Sequence, residues 1–304
     1  MSNNNNNICP FCGAFDSSVK HGKDTKNRQR YLCKSCNKTY INGLSSLKHL
    51  KTSDYIFKKF LGLVIDDTTN EVIARNLSVN TKTVNYWKFI VFKALEDYQE
   101  SIKLNGTIII DETFIPIRDK KYKVIKYDNK GIRGLSYNQL CIITMIDLHG
   151  ISIAKVSSRA MALPEHYITL FTDNIGSIVR FIHDGNRKGF QFMKSFNVEY
   201  LDGKRDKSGR YSIDFVDHYH SNLKRHIFKH NGFKIKNTQH YLNFFVYRQN
   251  YLASHDVKGM IRKNNVKNKM IDDLFKIINH SYKKITYLDY MKDKGIENIL
   301  LSIY

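Results

Sequence analysis

The sequence predicts an α+β protein of several domains, in which a metal-binding segment and a helical segment precede an α/β core with a mixed sheet. Three observations support this fold class. Two Cys-x-x-Cys pairs stand near the N-terminus, a helical periodicity begins at Ser53, and β-branched runs alternate with helical stretches from about Gly106 onward. A chain of 304 residues is long enough to form two or three such units.

The chain carries a large excess of positive charge. Lysine and arginine number 49 against 28 aspartates and glutamates, which gives a formal net charge of +21. Such a surplus favours a polyanionic partner, above all nucleic acid. The codon bias of an AT-rich genome, which favours lysine, explains part of the surplus. The alternative interpretation is a basic protein that binds a membrane surface. No apolar run approaches the roughly 20 residues of a spanning helix, and no signal-peptide core is found. We therefore expect a cytoplasmic protein without a membrane partner.

The first predicted element is a zinc ribbon over residues 1–45, after a loose Asn-rich start. Cys9 and Cys12 form one knuckle, Cys33 and Cys36 form the other, and twenty residues separate the two. This spacing suits four thiolates at the corners of a tetrahedron around Zn²⁺. Two disulfides, disfavoured in a cytoplasmic chain, and a redox pair are the alternatives. Because so short a segment has no core of its own, the zinc is expected to be structural.

Residues 46–103 are expected to be helical and to contain a DNA-binding helix-turn-helix. Within Asn70–Lys88 the apolar positions have the spacing of two short helices about a tight turn, and Asn80 or Thr81 can cap the second helix. Five side chains of the second helix are predicted to face outward, as in a recognition helix that enters the major groove. They are Lys82, Thr83, Asn85, Tyr86 and Lys88. The alternative is an ordinary helical hairpin whose polar face is only solvated.

A catalytic domain is predicted over residues 104–252, followed by a basic helical tail over residues 253–304. A β-branched run at Thr107–Ile115 is typical of a central strand buried on both faces. Further strands are expected at Lys121–Lys126, Gln139–Asp147, Ile151–Val156 and Ile178–His183, and helices at Glu165–Gly176, near Lys188–Phe196 and from Phe215 onward. In the tail, residues 258–269 resemble a basic linker and residues 270–282 an amphipathic helix.

Three aspartates are placed to converge in this domain. Asp111 lies in the first strand, Asp184 follows a later strand, and Asp217 enters a late helix. This order of elements and acids matches nucleases of the RNase H type. A cluster of carboxylates is costly unless cations neutralise it, and oxygen ligands select Mg²⁺ or Mn²⁺. Two such ions can activate a nucleophile on one side of a phosphodiester and stabilise the leaving oxygen on the other.

The late helix carries further candidates. Lys224 follows Asp217 by seven residues, so both lie on one helix face and the lysine can approach the same phosphate. His183 and His220 are expected to be supporting hydrogen-bond partners rather than ligands.

Each aspartate has an alternative reading. Glu112, on the opposite face of the strand, can be the ligand in place of Asp111. Asp184 can be a turn residue before a glycine, and Asp217 can be a helix cap that binds backbone N–H groups.

At these residues the chain resembles the DDE-type insertion-sequence transposases with an N-terminal zinc ribbon, the ISXO-like group. The resemblance extends to about Tyr251. It rests on the cysteine knuckles, Asp111-Glu112-Thr113-Phe114, His183-Asp184-Gly185, Asp217 to Lys224, Asn231-Gly232-Phe233 and Tyr241-Leu242-Asn243-Phe244-Phe245. It implies that Asp111 and Asp184 are metal-binding acids and that Lys224 is the signature lysine. Asp217 departs from the family, which more often has Asn, Glu or His at this position.

The resemblance implies a function for the whole chain. The ribbon and the helix-turn-helix bind the terminal inverted repeats of an insertion sequence, and the core catalyses metal-dependent cleavage and strand transfer. The implied partner is double-stranded DNA, both as the ends of the element and as the target. Joining two ends requires a homodimer or a larger synaptic oligomer. The protein is then expected to act at the nucleoid of a prokaryotic cell. The alternatives are a ribbon and helix-turn-helix regulator, a structure-specific nuclease of the same fold, and a tyrosine recombinase suggested only by 19 tyrosines.

Overall fold

The computed structural model describes residues 9, 11–12, 14–25, 27–41, 47, 50–124, 136–185, 187–203, 213–230, 234–255, 260–280 and 285–302. Over these residues the chain is an α+β protein with a small three-stranded sheet and a mixed five-stranded sheet. The strands are β1 Ser18–Lys23, β2 Gln29–Cys33, β3 Thr39–Ile41, β4 Leu104–Pro116, β5 Gln139–Asp147, β6 Ser152–Arg159, β7 Ile175–His183 and β8 Glu199–Asp202. The helices are α1 Asp54–Ile65, α2 Asn70–Leu77, α3 Thr81–Ala94, α4 Pro164–Phe171, α5 Phe190–Lys194, α6 Asp214–Lys229, α7 Thr238–Ala253, α8 Met260–His280, α9 Tyr287–Lys292 and α10 Glu297–Leu301.

The described chain divides into two compact units. The first unit contains the residues up to Ala94 together with Asn264–Asp293, and the second contains Leu95–Lys263 and the residues from Lys294 onward. Most of α8 and all of α9 therefore belong with the N-terminal half, although the sequence suggested a separate C-terminal tail.

The small sheet of the first unit is antiparallel, in the order β1-β2-β3. Among the described residues of this segment, the buried cluster consists of Cys9, Cys33 and Tyr40, and the ring of Tyr31 stacks on Tyr40 at 5.8 Å. So small an apolar cluster contributes little hydrophobic stabilisation, so this segment depends on another source of stability.

The helices of the first unit pack around an aromatic core. Trp87 of α3 makes edge contacts with Phe57 and Phe60 of α1, with ring centroids 5.7 and 5.3 Å apart. Phe275 of α8 lies 6.4 Å from Phe57, and Leu274 of α8 is fully buried. Helix α8 thus contributes side chains to the core that α1 and α3 form.

The five-stranded sheet of the second unit has the order β6-β5-β4-β7-β8. The central strand β4 pairs antiparallel with β5 and parallel with β7, and β8 adds to the edge parallel to β7. The carboxyl ends of β4, β7 and β8 therefore lie at the same end of the sheet.

Side chains of β4 alternate between the two faces of this sheet. Ile108 and Ile110 belong to an apolar cluster with Tyr167 of α4 and Phe192 of α5. Helix α6 packs against β4, and helix α7 against β6. Asp111 faces α6, because its carboxylate lies near an imidazole of that helix.

Several element boundaries differ from the sequence-based expectations. Helix α4 ends at Phe171 instead of residue 176, because the buried amide of Asn174 donates hydrogen bonds of 2.7 and 2.9 Å to the carbonyls of Gln99 and Ile102 and turns the chain into β7. Strand β8 was not expected at all. Residues 260–269, expected to be a basic linker, form the first turns of α8.

The prediction of a strand at Lys121–Lys126 is also wrong for residues 121–124, which the structure describes. Residues 120–122 form a single 3-10 turn, in which the Asp119 carboxylate accepts a hydrogen bond of 3.0 Å from Lys121 N. Residues 125–126, the Asn-rich start at 3–7 and the Asn231-Gly232-Phe233 motif lie outside the described residues.

Among the helices that the structure describes, none combines the length and the apolar character needed to cross a membrane.

Candidate functional site

The four cysteines of the N-terminal knuckles come together in the first unit. Their sulfur atoms all lie within 4.8 Å of one another, with Cys9 Sγ 3.7 Å from Cys36 Sγ and Cys12 Sγ 3.6 Å from Cys33 Sγ. A tetrahedral site with Zn–S bonds of about 2.3 Å places its sulfurs about 3.8 Å apart. All four cysteines are free, so the cluster fits a bound Zn²⁺ and not two disulfides.

The electrostatics of the cluster link zinc binding to proton release. A hydrogen bond from Ser17 Oγ, at 3.4 Å, lowers the pKa of Cys33 below its ordinary value and so favours the thiolate. Burial raises the pKa of Cys9 to about 12. Because Zn²⁺ binds thiolates, its binding must release a proton from Cys9.

Helices α2 and α3 form a helical pair joined by a tight turn. Helix α2 ends at Ser78, which adopts the left-handed conformation with a φ of 52°. Asn80 Oδ1 then accepts a hydrogen bond of 2.8 Å from Lys82 N at the start of α3. Asn80 therefore supplies the N-terminal cap that the sequence offered to either Asn80 or Thr81.

The side chains of α3 that were expected to face outward divide into two groups. Those at the start of the helix are at least partly accessible, whereas the later ones contact other protein groups or are buried. Lys82 is exposed and Thr83 is half-buried at the start of the helix. Asn85 Oδ1 accepts a hydrogen bond of 2.6 Å from the side chain of Asn70. Tyr86 packs inward, where its hydroxyl donates a hydrogen bond of 3.0 Å to Ile285 O and its ring contacts Tyr287 and Tyr290 of α9.

The fifth of these side chains, Lys88, is buried. It is 3% exposed, and burial lowers its pKa to about 8 although the charges of Asp67 and Glu71 act in the opposite direction. The helical period shows why the expectation was wrong, because Lys88 follows the buried Val84 by four residues and so lies on its face.

In the second unit, Asp111 lies within β4 at the level where its parallel neighbour β7 ends, and Asp184 directly follows β7. The register pairs Ile110 of β4 with His183 of β7, so the residues that follow each of them are Asp111 and Asp184. Both aspartates line one small cleft, together with Glu112. Two of the three predicted acids therefore share a cleft.

The third predicted acid, Asp217, approaches Asp111 from α6. Ligand atoms of Asp111, Asp217 and His220 all lie within 4.8 Å of one another, and His220 Nδ1 lies 3.5 Å from Asp111 Oδ2. Asp184 is not a member of this group. The sequence thus identified two of its members, whereas His220 was expected only as a supporting hydrogen-bond partner.

His220 is held in its neutral form. Burial, and secondly the positive charge of Lys224 one turn further along α6, lower the pKa of His220 to about 4. A neutral imidazole is the form that binds metal ions. The same interaction shows that the positive charge of Lys224 lies near His220.

Glu112 lies on the other face of β4, where it accepts a hydrogen bond from the Tyr167 hydroxyl. Tyr167 is buried, and burial together with the charge of Glu112 raises its pKa far above the ordinary range, so the hydroxyl stays protonated as a donor. Glu112 therefore has a protein partner that orients it away from His220.

One acid at this end of the sheet was missed from the sequence. Asp202 ends β8 and pairs in register with His183, and its Oδ2 would lie 3.4 Å from a side-chain carbon added at Gly185. Gly185 has a φ of 90°, a conformation that favours glycine, and its N donates a hydrogen bond of 2.8 Å to His183 Nδ1. Recognising Glu199–Asp202 as a strand would have revealed Asp202.

The comparison with protein families concerns the first of these sites. Residues 6–37 match the family model described as the InsA N-terminal domain, a zinc ribbon. The matched residues contain all four cysteines and strands β1 and β2. The N-terminal segment is therefore similar to the zinc ribbon of an insertion-sequence protein, with a cysteine cluster that fits a structural Zn²⁺.

Proposed function

We propose that this protein is the DNA transposase of an insertion sequence, which binds the terminal inverted repeats of the element and cleaves and joins DNA strands with divalent metal ions. The observation that carries this proposal is the approach of Asp217 to Asp111 beside the cleft that Asp184 shares. An InsA-like ribbon in the same chain supports a function in DNA transposition over other uses of an acidic site.

The topology of the second unit supports a core of the RNase H type. Three antiparallel strands, β6, β5 and β4, are extended by the parallel strands β7 and β8, and α6 brings the third acid close to Asp111 of β4. The first acid lies within the central strand and the second directly after its parallel neighbour. This arrangement of the acids supports the proposal of a metal-dependent nuclease core.

The acidic residues fit divalent ions, because carboxylates this close repel one another unless a cation lies between them. Asp111, Asp184 and Asp217 would hold Mg²⁺ or Mn²⁺. When bound, these ions activate the attacking oxygen of a phosphodiester reaction and stabilise the leaving oxygen.

The chain's own groups orient and shield the reaction. The sheet fixes Asp111 and Asp184, the Tyr167 hydroxyl fixes Glu112, and Lys224 offers a positive charge to the phosphate. Cleavage frees a 3′-OH, which attacks the target DNA in line, so no covalent bond between protein and DNA is needed.

DNA binding is proposed for the ribbon and for α2 and α3 acting as a helix-turn-helix. The N-terminal residues of a recognition helix contact base edges, and Lys82 and Thr83 occupy this position on α3. Replacing Lys82 by Ala should weaken binding to the element ends. The slope of log binding constant against log salt concentration should fall by about one, as expected for the loss of one phosphate contact. Lys88→Met is the matched control, because a buried lysine contributes no phosphate contact.

Double-stranded DNA is the proposed partner, and holding two ends requires at least a homodimer.

The central experiment incubates the full chain with labelled element ends and a supercoiled target, in Mg²⁺, in Mn²⁺ or with a chelator. Joined products that require metal, and that fall by more than about a hundredfold in Asp184→Asn, support the proposal, since even groups that only support metal ligands contribute 10–100-fold. Asp173→Asn is the control, because Asp173 is exposed and follows α4.

The result can also favour other functions. Metal-independent binding without cutting would favour a regulator, for which the InsA-like ribbon alone suffices. Cutting without joining would favour a structure-specific nuclease, and a covalent protein–DNA adduct on a denaturing gel would favour a tyrosine recombinase.

A further inference from the structure

The imidazole of His220 is buried beside the acidic site without a good hydrogen-bond partner. The residue is 6% exposed, and its Nε2 has no hydrogen-bond partner among the residues that the structure describes. A buried polar group without a partner is costly, so burial of this imidazole is unfavourable unless its other nitrogen, Nδ1, makes a compensating interaction.

The other ring nitrogen of His220, Nδ1, faces Asp111. Nδ1 lies 3.5 Å from Asp111 Oδ2, beyond the roughly 2.7–3.2 Å of an N–H···O hydrogen bond. Two ligand atoms that share a metal at about 2.1 Å lie roughly 3.0–3.4 Å apart, depending on the coordination angle. The observed separation is too long for a good hydrogen bond, and it leaves the two ligand atoms close enough to share one ion after a small movement of either side chain.

The geometry of α6 supports the same conclusion. His220 follows Asp217 by three residues, so both side chains lie on one face of the helix. Ligand atoms of both residues group with Asp111 within 4.8 Å. One helix thus offers a nitrogen and an oxygen ligand to an ion that Asp111 approaches from the sheet.

We propose that His220 is a direct metal ligand together with Asp111 and Asp217, and that this mixed set makes the site prefer a transition-metal ion such as Mn²⁺ over Mg²⁺. Mg²⁺ is bound mainly by oxygen ligands, whereas an imidazole nitrogen favours transition metals. This inference rests on the proposed function only in treating Asp111 and Asp217 as metal ligands.

The test measures metal binding separately from DNA cleavage. Full-length protein that retains its zinc is titrated with Mn²⁺, and the free ion is followed by electron paramagnetic resonance. We expect Asp111→Asn to abolish specific binding and His220→Gln to weaken it by at least about tenfold. His218→Ala, an exposed histidine of the same helix, should change the dissociation constant less than twofold. Mg²⁺ should displace Mn²⁺ only at a large excess from the wild-type protein.

A spectroscopic measurement on the wild-type protein does not depend on the folding of any variant. Electron spin echo modulation of bound Mn²⁺ should show a directly bonded nitrogen, which disappears in His220→Gln and persists in His218→Ala. Absence of this nitrogen coupling in the wild type overturns the inference. If binding still requires Asp111, the proposed acidic site stands without His220; if Asp111→Asn binds Mn²⁺ unchanged, the proposed acidic site fails as well.

Discussion

The cysteine cluster and the acidic site both gather metal-binding side chains, but the chain builds them over different distances. The ribbon takes its four cysteines from two short knuckles within Cys9–Cys36. The acidic site joins Asp111 of β4 to Asp217 and His220 of α6, with strands β5 to β8 and helices α4 and α5 between them along the chain. Local spacing therefore specifies the ribbon, whereas a folded sheet must already exist before the acids can meet.

The source of stability differs in the same way. The described residues of the ribbon bury a small apolar cluster, so we expect bound Zn²⁺ to supply most of the stability of this segment. The acidic site lies on a sheet whose strands β5 and β6 are buried almost throughout. We therefore expect metal loss to unfold the ribbon but to leave the second unit folded.

Loss of the ribbon zinc should produce the largest effect. Cys12→Ser should release Zn²⁺ and unfold β1 to β3, since structural zinc contributes an apparent 10–16 kcal/mol in comparable small domains. Elemental analysis would give the zinc content, and hydrogen exchange would follow the ribbon amides. Cys141→Ser, which changes a buried cysteine of β5, should keep its zinc. Protected ribbon amides in a zinc-free protein would contradict the view that the metal supplies the fold.

The two neighbouring acids of β4 provide the second test. Asp111→Asn should reduce metal-dependent DNA cleavage by more than about a hundredfold, since even supporting groups at metal sites contribute 10–100-fold. Glu112→Gln keeps an acceptor for the Tyr167 hydroxyl and should reduce cleavage less than tenfold. Melting curves without added metal should be similar for both variants and the wild type. A reversed order of the two activities would make Glu112 the ligand, the alternative that the sequence left open.

The smallest expected effect concerns the buried Lys88 and the pH dependence of stability. Its folded pKa of about 8 lies below the ordinary value of 10.5, so the unfolded chain binds more protons between these pH values. The free energy of unfolding should therefore rise as pH increases through this window, by up to about 3 kcal/mol. Urea denaturation at pH 7.5 and 9.5 measures this rise, with the single Trp87 of α3 as the fluorescent probe.

Lys88→Met is the control for this experiment. The variant should lose the pH-dependent gain and should be at least as stable as the wild type at pH 7.5, because no charge is then buried. An equal gain in both proteins would assign the pH dependence to other groups.

The sequence predicted those parts of the fold that local patterns determine. The bounds of β5 agree with the prediction, because its apolar run is long, and Cys9, Cys12, Cys33 and Cys36 were recognised from spacing alone. The family match supports the ribbon independently.

Features that depend on tertiary packing were not predictable in the same way. Strand β8 has four residues, too few for a periodic pattern, and Asp202 was missed with it. The end of α4 depends on a buried asparagine that bonds to carbonyls far away in the chain. The position of His220 beside Asp111 depends on how α6 packs against β4. The catalytic roles of Asp111, Asp184, Asp217 and Lys224 remain predictions.

The path of the chain between the two units has a consequence for folding during synthesis. The first unit is interrupted after Ala94 and receives α8 and α9 only from Asn264–Asp293. Its aromatic core lacks Leu274 and Phe275 until that segment has left the ribosome, which at roughly 5–20 residues per second takes many seconds after α3 appears. The second unit can form its sheet during this interval, so the N-terminal unit, although its sequence begins first, cannot complete its core until residues 95–263 of the second unit have been synthesised.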